Sequence, residues 1–173
     1  VAGGSTLTQQ TAKNLFKRPD RSLKSKGLEF VNALRLEAHY DKTDILTFYA
    51  NQFHVSGNGR GLGIAARYFF SKSVSELSVL ECAYLAGLVK APSYYDPFRG
   101  DAETQERNRQ RGHDRVGYVL RRMGEVDPST VAGPLDLAEV QSIQEQARSL
   151  SADGYALVYE RGTFRYDSSA ILD

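Results

Sequence analysis

A run of cations that closes on one carboxylate is where this sequence concentrates residue types able to do chemistry. Gly3-Gly4-Ser5-Thr6-Leu7-Thr8-Gln9-Gln10 leads into Lys13, Asn14, Lys17, Arg18, Arg21, Lys24 and Lys26, and Glu29 ends the run. Paired glycines let a chain turn sharply, and a hydroxyl can satisfy the free N–H groups at a helix start. Thr6 with Gln9 fits the reciprocal S/T-x-x-Q cap. Such a start aims bare N–H donors and the positive end of the helix dipole at whatever lies in front of it, a natural place for an anion. The cap alone is ordinary helix punctuation. Likewise, Lys26 and Glu29 at i, i+3 read equally as a surface ion pair.

The elements that must position these groups come from 173 residues, 41% hydrophobic and 25% charged, which suits one globular core with a small appendage. The net charge of +1 conceals an asymmetry: Val1 to Glu29 holds six Lys/Arg against Asp20 and Glu29, whereas Asp136 to Asp173 holds seven acids against Arg148, Arg161 and Arg165. An anionic partner would therefore bind the amino end. The single cysteine, Cys82, excludes an internal disulfide and a Cys-based zinc site, and its place between Leu80 and Leu85 predicts a buried thiol. His39, His54 and His113 show no metal-ligand spacing. No run approaches the ~20 apolar residues of a membrane span, and no signal peptide is visible. Because Val1 stands in what reads as a loop, the chain is expected to be a fragment whose upstream targeting segment lies elsewhere.

Helical periodicity dominates. Leu7 to Phe16 predicts a first helix, broken by Pro19-Asp20, and Leu23 to Tyr40 a second, whose Leu28, Val31, Leu34 and Ala38 recur at spacings of three and four and define the expected buried stripe. Glu29, Ala33, Leu36 and Glu37 fall on an adjoining face. Asp41 caps a third helix ending near Asn51. The alternating glycines of Gln52 to Gly63 predict a flexible loop, without the register of a dinucleotide fingerprint, that reads equally as plain surface or as a substrate contact. Leu62 to Phe70 is helical again, and Ser73 or Ser75 is expected to cap Leu77 to Val89, the most hydrophobic helix. After the Pro92 to Pro97 turn, a long polar helix carries Arg107, Arg111 and Arg115 opposite Val116, Val119, Leu120 and Met123; such an arginine row is usually a solvated face. Past Asp127-Pro128 come one more amphipathic helix (Leu137, Val140, Ile143, Ala147, Leu150) and a β-hairpin signal, Tyr155, Leu157, Tyr159, then Phe164, Tyr166. The expectation is a mainly α fold with a small C-terminal β-hairpin, divided into 1–127 and a helix, hairpin and linker over 128–173.

These residues resemble a known family, the peptidoglycan glycosyltransferases (glycosyltransferase family 51), the polymerase domain of bifunctional penicillin-binding proteins and of monofunctional transglycosylases. The likeness covers roughly Gly3 to Met123. Gly3 to Gln10 with Lys13-Asn14 looks like the family's second motif, GGST-hydrophobe-TQQ-x-x-KN, without a mismatch; Glu29, Ala33, Leu36 and Glu37 match its third; Lys42, Ile45, Tyr49 and Asn51 match its fourth. Leu77-Ser78 through Pro97 follows the downstream pattern, and Arg115 with Val119-Leu120 reproduces RxxxVL, the fifth. There are departures: Ser25 stands where the third motif has Arg before Lys26, Ser71 where the family often has Gly, and the first motif, which carries the general-base glutamate, is absent from these residues.

The resemblance implies a lysozyme-like helical domain that extends glycan strands. The 4-hydroxyl of one lipid-linked disaccharide attacks the anomeric carbon of another, with inversion and release of a polyprenyl pyrophosphate. Glu29 would be the catalytic carboxylate that is present, and Ser5, Thr6, Gln9, Gln10, Lys13, Asn14, Arg21, Lys26 and Lys90 would contact substrate. Cations and N–H dipoles placed where charge develops lower such a barrier. Among cations Glu29 is expected to stay ionised, which argues against a proton donor. Three roles stay open for it: orienting the cations, ligating a divalent ion (Mg or Mn) that bridges the pyrophosphate, or acting on the acceptor. An inverting carboxylate pair would need the missing partner, so the chain alone is expected to be inactive. Glu37 and Arg115 are expected to be ion-pair partners that hold helices together. The implied partners are lipid II, the growing strand, a membrane surface and a transpeptidase domain in the same parent, with no nucleic acid. The implied place is the extracytoplasmic face of a bacterial inner membrane, reached through an upstream anchor. Two alternatives are a lysozyme-like enzyme that cuts strands, which would need a protonated carboxyl in an apolar pocket, and a non-catalytic helical module that binds anionic lipid.

Overall fold

The computed structural model describes residues 6–16, 20, 22–52, 54–55, 59–131 and 134–162, and they are mainly α-helical. Most helices begin where the sequence supplies an oxygen for their free N–H groups. Helix α1 (Leu7–Leu15) closes the reciprocal cap: the Gln9 N–H donates to the Thr6 hydroxyl and the Thr6 N–H to Gln9 Oε1, both at 3.2 Å. Ser22 caps α2 (Leu23–His39) and Asp41 caps α3 (Lys42–Asn51). A side-chain cap of this kind is worth ~1 kcal/mol. After α3 the expected loop is partly ordered: β1 (His54–Val55) pairs antiparallel with β2 (Gly59–Arg60), with His54 opposite Arg60. Gly59 and Gly61 take φ of 114° and 112°, which lets the chain leave this small ribbon and enter α4 (Leu62–Phe70) directly.

Between α4 and α5 (Val79–Leu88) the sequence holds two capping boxes in succession. Ser73 with Glu76 closes a 3-10 turn, Val74–Glu76, and Ser78 with Glu81 caps α5, so neither Ser73 nor Ser75 is the cap of that helix. Asp101 caps the long α6 (Ala102–Glu125) and Asp136 caps α7 (Leu137–Asp153). Phe69, Phe70, Tyr84, Leu85, Leu88, Val116, Leu120 and Ala147 form the main core, so α7 packs into the same interior as α4, α5 and α6. The predicted apolar stripe of α6 lies on this core.

No strand forms over 155–162. Burial alternates along Tyr155, Leu157 and Tyr159, as the sequence suggests, but the backbone pairs with the end of a helix: the Glu160 N–H donates to Phe69 O at 3.0 Å and the Gly162 N–H to Tyr68 O at 3.3 Å. These bonds satisfy carbonyls left open at the α4 terminus. The expected second arm, Phe164 to Tyr166, lies outside the described residues.

A smaller cluster, Ala12, Ala33, Leu36 and Ile45, joins α1, α2 and α3. It corrects the expected burial of α2. Both neighbouring helices pack on the face that carries Glu29, Ala33 and Leu36, and the stripe of Leu28, Val31, Leu34 and Ala38 faces outward, with Leu28 at 53% and Leu34 at 54% exposure. Periodicity defined the stripe correctly, but it could not say which side the neighbours would take.

Candidate functional site

One cleft of about 860 Å³ is enclosed by α1, α3, the β1 region, α5 and the middle of α6. Gln10 and Asn14, one turn apart on α1, bring two amides to it. Leu46, Tyr49 and Ala50 supply the α3 wall. Cys82, Leu85, Ala86 and Val89, at spacings of three and four, supply the α5 wall. Lys90 and Arg115 contribute two cations, and Gln52 and His54 complete the polar lining.

Arg115 is held as it enters the cleft. Its Nε–H donates to Gly87 O at 3.4 Å, and its guanidinium lies 4.8 Å from the Tyr118 ring centroid. A Cβ at Gly87 would come within 3.0 Å of Arg115 Cγ, so glycine lets α5 and α6 approach closely enough for this tie. Arg115 does join helices as the sequence predicts, but through a carbonyl and not an acid. The rest of the arginine row is engaged locally: Arg107 with Glu103 at 2.6 Å, and Arg111 at 3.8 Å from the Tyr94 ring centroid.

Glu29 lies elsewhere. It is buried, at 5% exposure, on the face of α2 that meets α1 and α3, and it pairs with Lys26. Neither residue lines the cleft. Glu37, one turn beyond Leu36's neighbour Ala33, accepts from Lys42 and from the Thr8 hydroxyl, an α1–α2–α3 tie; these bonds, Lys42 first, hold its carboxyl below the usual range. Of the sequence-predicted site residues, the structure gathers Gln10, Asn14 and Lys90 in one cleft. Thr6 and Gln9 are spent on the α1 cap, Lys13 is exposed, and Lys26 sits with Glu29. Ser5 and Arg21 lie outside the described residues.

The predicted burial of Cys82 is corrected: the thiol is exposed at the cleft wall, because the cleft and not another helix faces it. Surrounding atoms, with the adjacent Glu81 carboxylate, still push its pKa up. The wall of α5 was legible as an i, i+3, i+4, i+7 pattern at Cys82, Leu85, Ala86 and Val89, whereas Gln52 carries no sequence signal of its own. Glu29 offers one carboxylate already engaged by an ammonium, and no group of three or more His, Cys, Asp or Glu among the described residues could hold a metal.

The cleft thus combines an apolar floor, several amides and two cations, a lining suited to a polar ring with an anionic group nearby. The helical fold and these motif residues define a class, and comparison with known proteins agrees: the family model described as Transglycosylase matches residues 1–124, and the chain belongs to that family. It is 43% identical over 126 residues to penicillin-binding protein 1A of Clostridium perfringens, covering 73% of this chain and 18% of that protein. To penicillin-binding protein 1B of Vibrio cholerae it is 38% identical over 154 residues, covering 83% of this chain and 19% of the relative. The crystal structure of penicillin-binding protein 1A from Haemophilus influenzae is similar at 22% identity and a TM-score of 0.43, over 96% of this chain and 18% of that one. The chain therefore spans less than a fifth of the length of these relatives.

Proposed function

We propose that this chain is the glycan-polymerising part of a peptidoglycan synthase, which joins lipid II units with inversion and releases undecaprenyl pyrophosphate. The observation that carries the reading is the convergence of Gln10 and Asn14, from the second motif, with Lys90 and Arg115 in one cleft. Amides there hold sugar hydroxyls, and the two cations stabilise a diphosphate as negative charge grows on it. Lys13, exposed on α1, belongs to the same basic amino end, while Ser5, Thr6, Gln9 and Arg21 are assigned to substrate by the family resemblance alone. The pyrophosphate is a stable anion, so its departure needs no general acid, and no step runs through a metal.

Glu29, bound to Lys26 outside the cleft lining, holds that cation in the basic amino end that meets the diphosphate as it leaves the cleft, and the proton of the attacking hydroxyl goes to a carboxylate other than Glu29. The 173-residue chain by itself binds the lipid-linked disaccharide and makes no polymer. The outward apolar side of α2, bordered by Lys24 and Arg35, supports work at a membrane surface, on the extracytoplasmic face where lipid II is presented. No described helix is long and apolar enough to cross a membrane, and the proposed parent supplies the anchor and a transpeptidase domain.

The test is polymerisation of labelled lipid II by a competent polymerase that contains these residues. Glu29→Gln is expected to reduce strand synthesis at least ~100-fold with the circular dichroism spectrum unchanged, the scale of losing a charged group that acts in the transition state. Lys90→Ala is expected to lower kcat more than it raises KM, because the charge Lys90 meets grows in the transition state. Unchanged synthesis with Glu29→Gln removes that residue from the mechanism, and a wild-type enzyme that leaves lipid II unconverted removes the function.

A further inference from the structure

Gln52, immediately after α3, contributes to the cleft wall, yet its amide oxygen and nitrogen are both shielded from solvent and meet no hydrogen-bond partner among the described residues. Buried amides are almost always paired, so one with donor and acceptor both open marks a place that something else completes. The backbone of Gln52 is already fixed, its N–H donating to Tyr49 O at 3.1 Å, so the side chain can turn without disturbing the helix. The last torsion of a glutamine is broad, which makes such a turn cheap.

We propose that Gln52 swings its amide into the cleft and pairs with the acetamido group of an N-acetylated amino sugar. The trans acetamido group holds its C=O and N–H on opposite sides and presents one of them to a given partner: its C=O accepts from Nε2, while Oε1 accepts from a neighbouring ring hydroxyl, so both orphaned atoms are used. The Leu85 and Val89 side chains line the same cleft and offer the acetamido methyl an apolar seat, while Gln10 and Asn14 serve ring hydroxyls. A sugar with a hydroxyl at that position leaves Gln52 incompletely paired, and the site discriminates against it for that reason. This assignment rests on the reading of the cleft as a glycan-strand polymerase site.

The experiment titrates the 173-residue chain with N-acetylchitotetraose and with cellotetraose, the same β-1,4-linked backbone bearing hydroxyls in place of acetamido groups. The readouts are the Gln52 side-chain NH₂ resonances and the dissociation constants. The N-acetylated tetramer is expected to shift those resonances and to bind roughly tenfold more tightly than cellotetraose, the scale of one well-made amide pair. Gln52→Met, which keeps length and removes both polar atoms, is expected to erase that preference while melting no lower than the wild type, because no internal hydrogen bond is lost. Equal binding of both tetramers by the wild type, a preference that survives in Gln52→Met, or a lower melting temperature that reveals an internal partner each overturn the Gln52 assignment and leave the polymerase reading standing. A wild-type chain that binds neither tetramer overturns both.

Discussion

At the cleft wall the Cys82 thiol is reachable but reluctant: surrounding atoms and the Glu81 carboxylate keep it protonated above the ordinary cysteine range. Since the thiolate is the nucleophile, maleimide should label it several-fold more slowly than free cysteine at neutral pH, and faster as pH rises. A ligand in the cleft should slow labelling further; mass spectrometry of timed samples measures both effects. Glu37 gives the acid side. Lys42 and Thr8 lower its folded pKa, so its contribution to stability is full above the unfolded carboxyl value of about 4.3 and is lost as pH falls through the lower folded value. Glu37→Gln should therefore melt lower than the wild type at neutral pH, and the gap should close on acidification. Local chemistry of this kind was legible in the sequence where spacing along one helix decides it, as for Thr6 with Gln9 or Lys26 with Glu29. Gln52 and the exposure of Cys82 were not, because they depend on how separate helices approach.

For the elements, helix starts were readable almost everywhere an Asp, Ser or Thr precedes a periodic run, since the cap is a contact across three residues. Apart from the α5 cap, which Ser78 takes, the misreadings share a cause: a neighbour distant in sequence decided the outcome. The β-hairpin expected after Tyr155 gave way to pairing with the end of α4, and the apolar stripe of α2 was left outside because α1 and α3 took the other face. The Tyr155 to Gly162 strap is part of the fold. Tyr159 lies 5.1 Å from the Tyr84 ring centroid and 6.2 Å from that of Phe70, inside the main core's aromatic group, and burial pushes its hydroxyl up to about 12. Tyr159→Ala should cost about 3 kcal/mol in denaturant unfolding, in the range of large aromatic truncations. A loss below ~1 kcal/mol would mean that the strap is only laid on the surface.

Across the whole molecule, the positive amino end and the outward apolar side of α2 belong to the same α1–α3 unit, while the acidic residues gather beyond Asp136. This polarity suits an anionic bilayer. The chain should bind vesicles containing phosphatidylglycerol better than neutral ones, with affinity falling as salt rises, because exposed charges are screened over a Debye length of about 8 Å at physiological ionic strength. Replacing Leu28 and Leu34 by Lys should reduce vesicle binding and leave the melting curve unchanged, since neither side chain is in the core; a shifted melting curve would show that they pack internally. Charge asymmetry and helical class were plain from composition and periodicity. The cleft was not, because it is assembled from five helices that share no common spacing.

The orientation of α2 also matters when no lipid is supplied. In plain buffer the Leu28, Val31 and Leu34 side has only water to meet, and two molecules can relieve that by pressing these sides together. Hydrodynamic size should then grow with concentration and return to that of a monomer once mild detergent micelles compete for the same side chains.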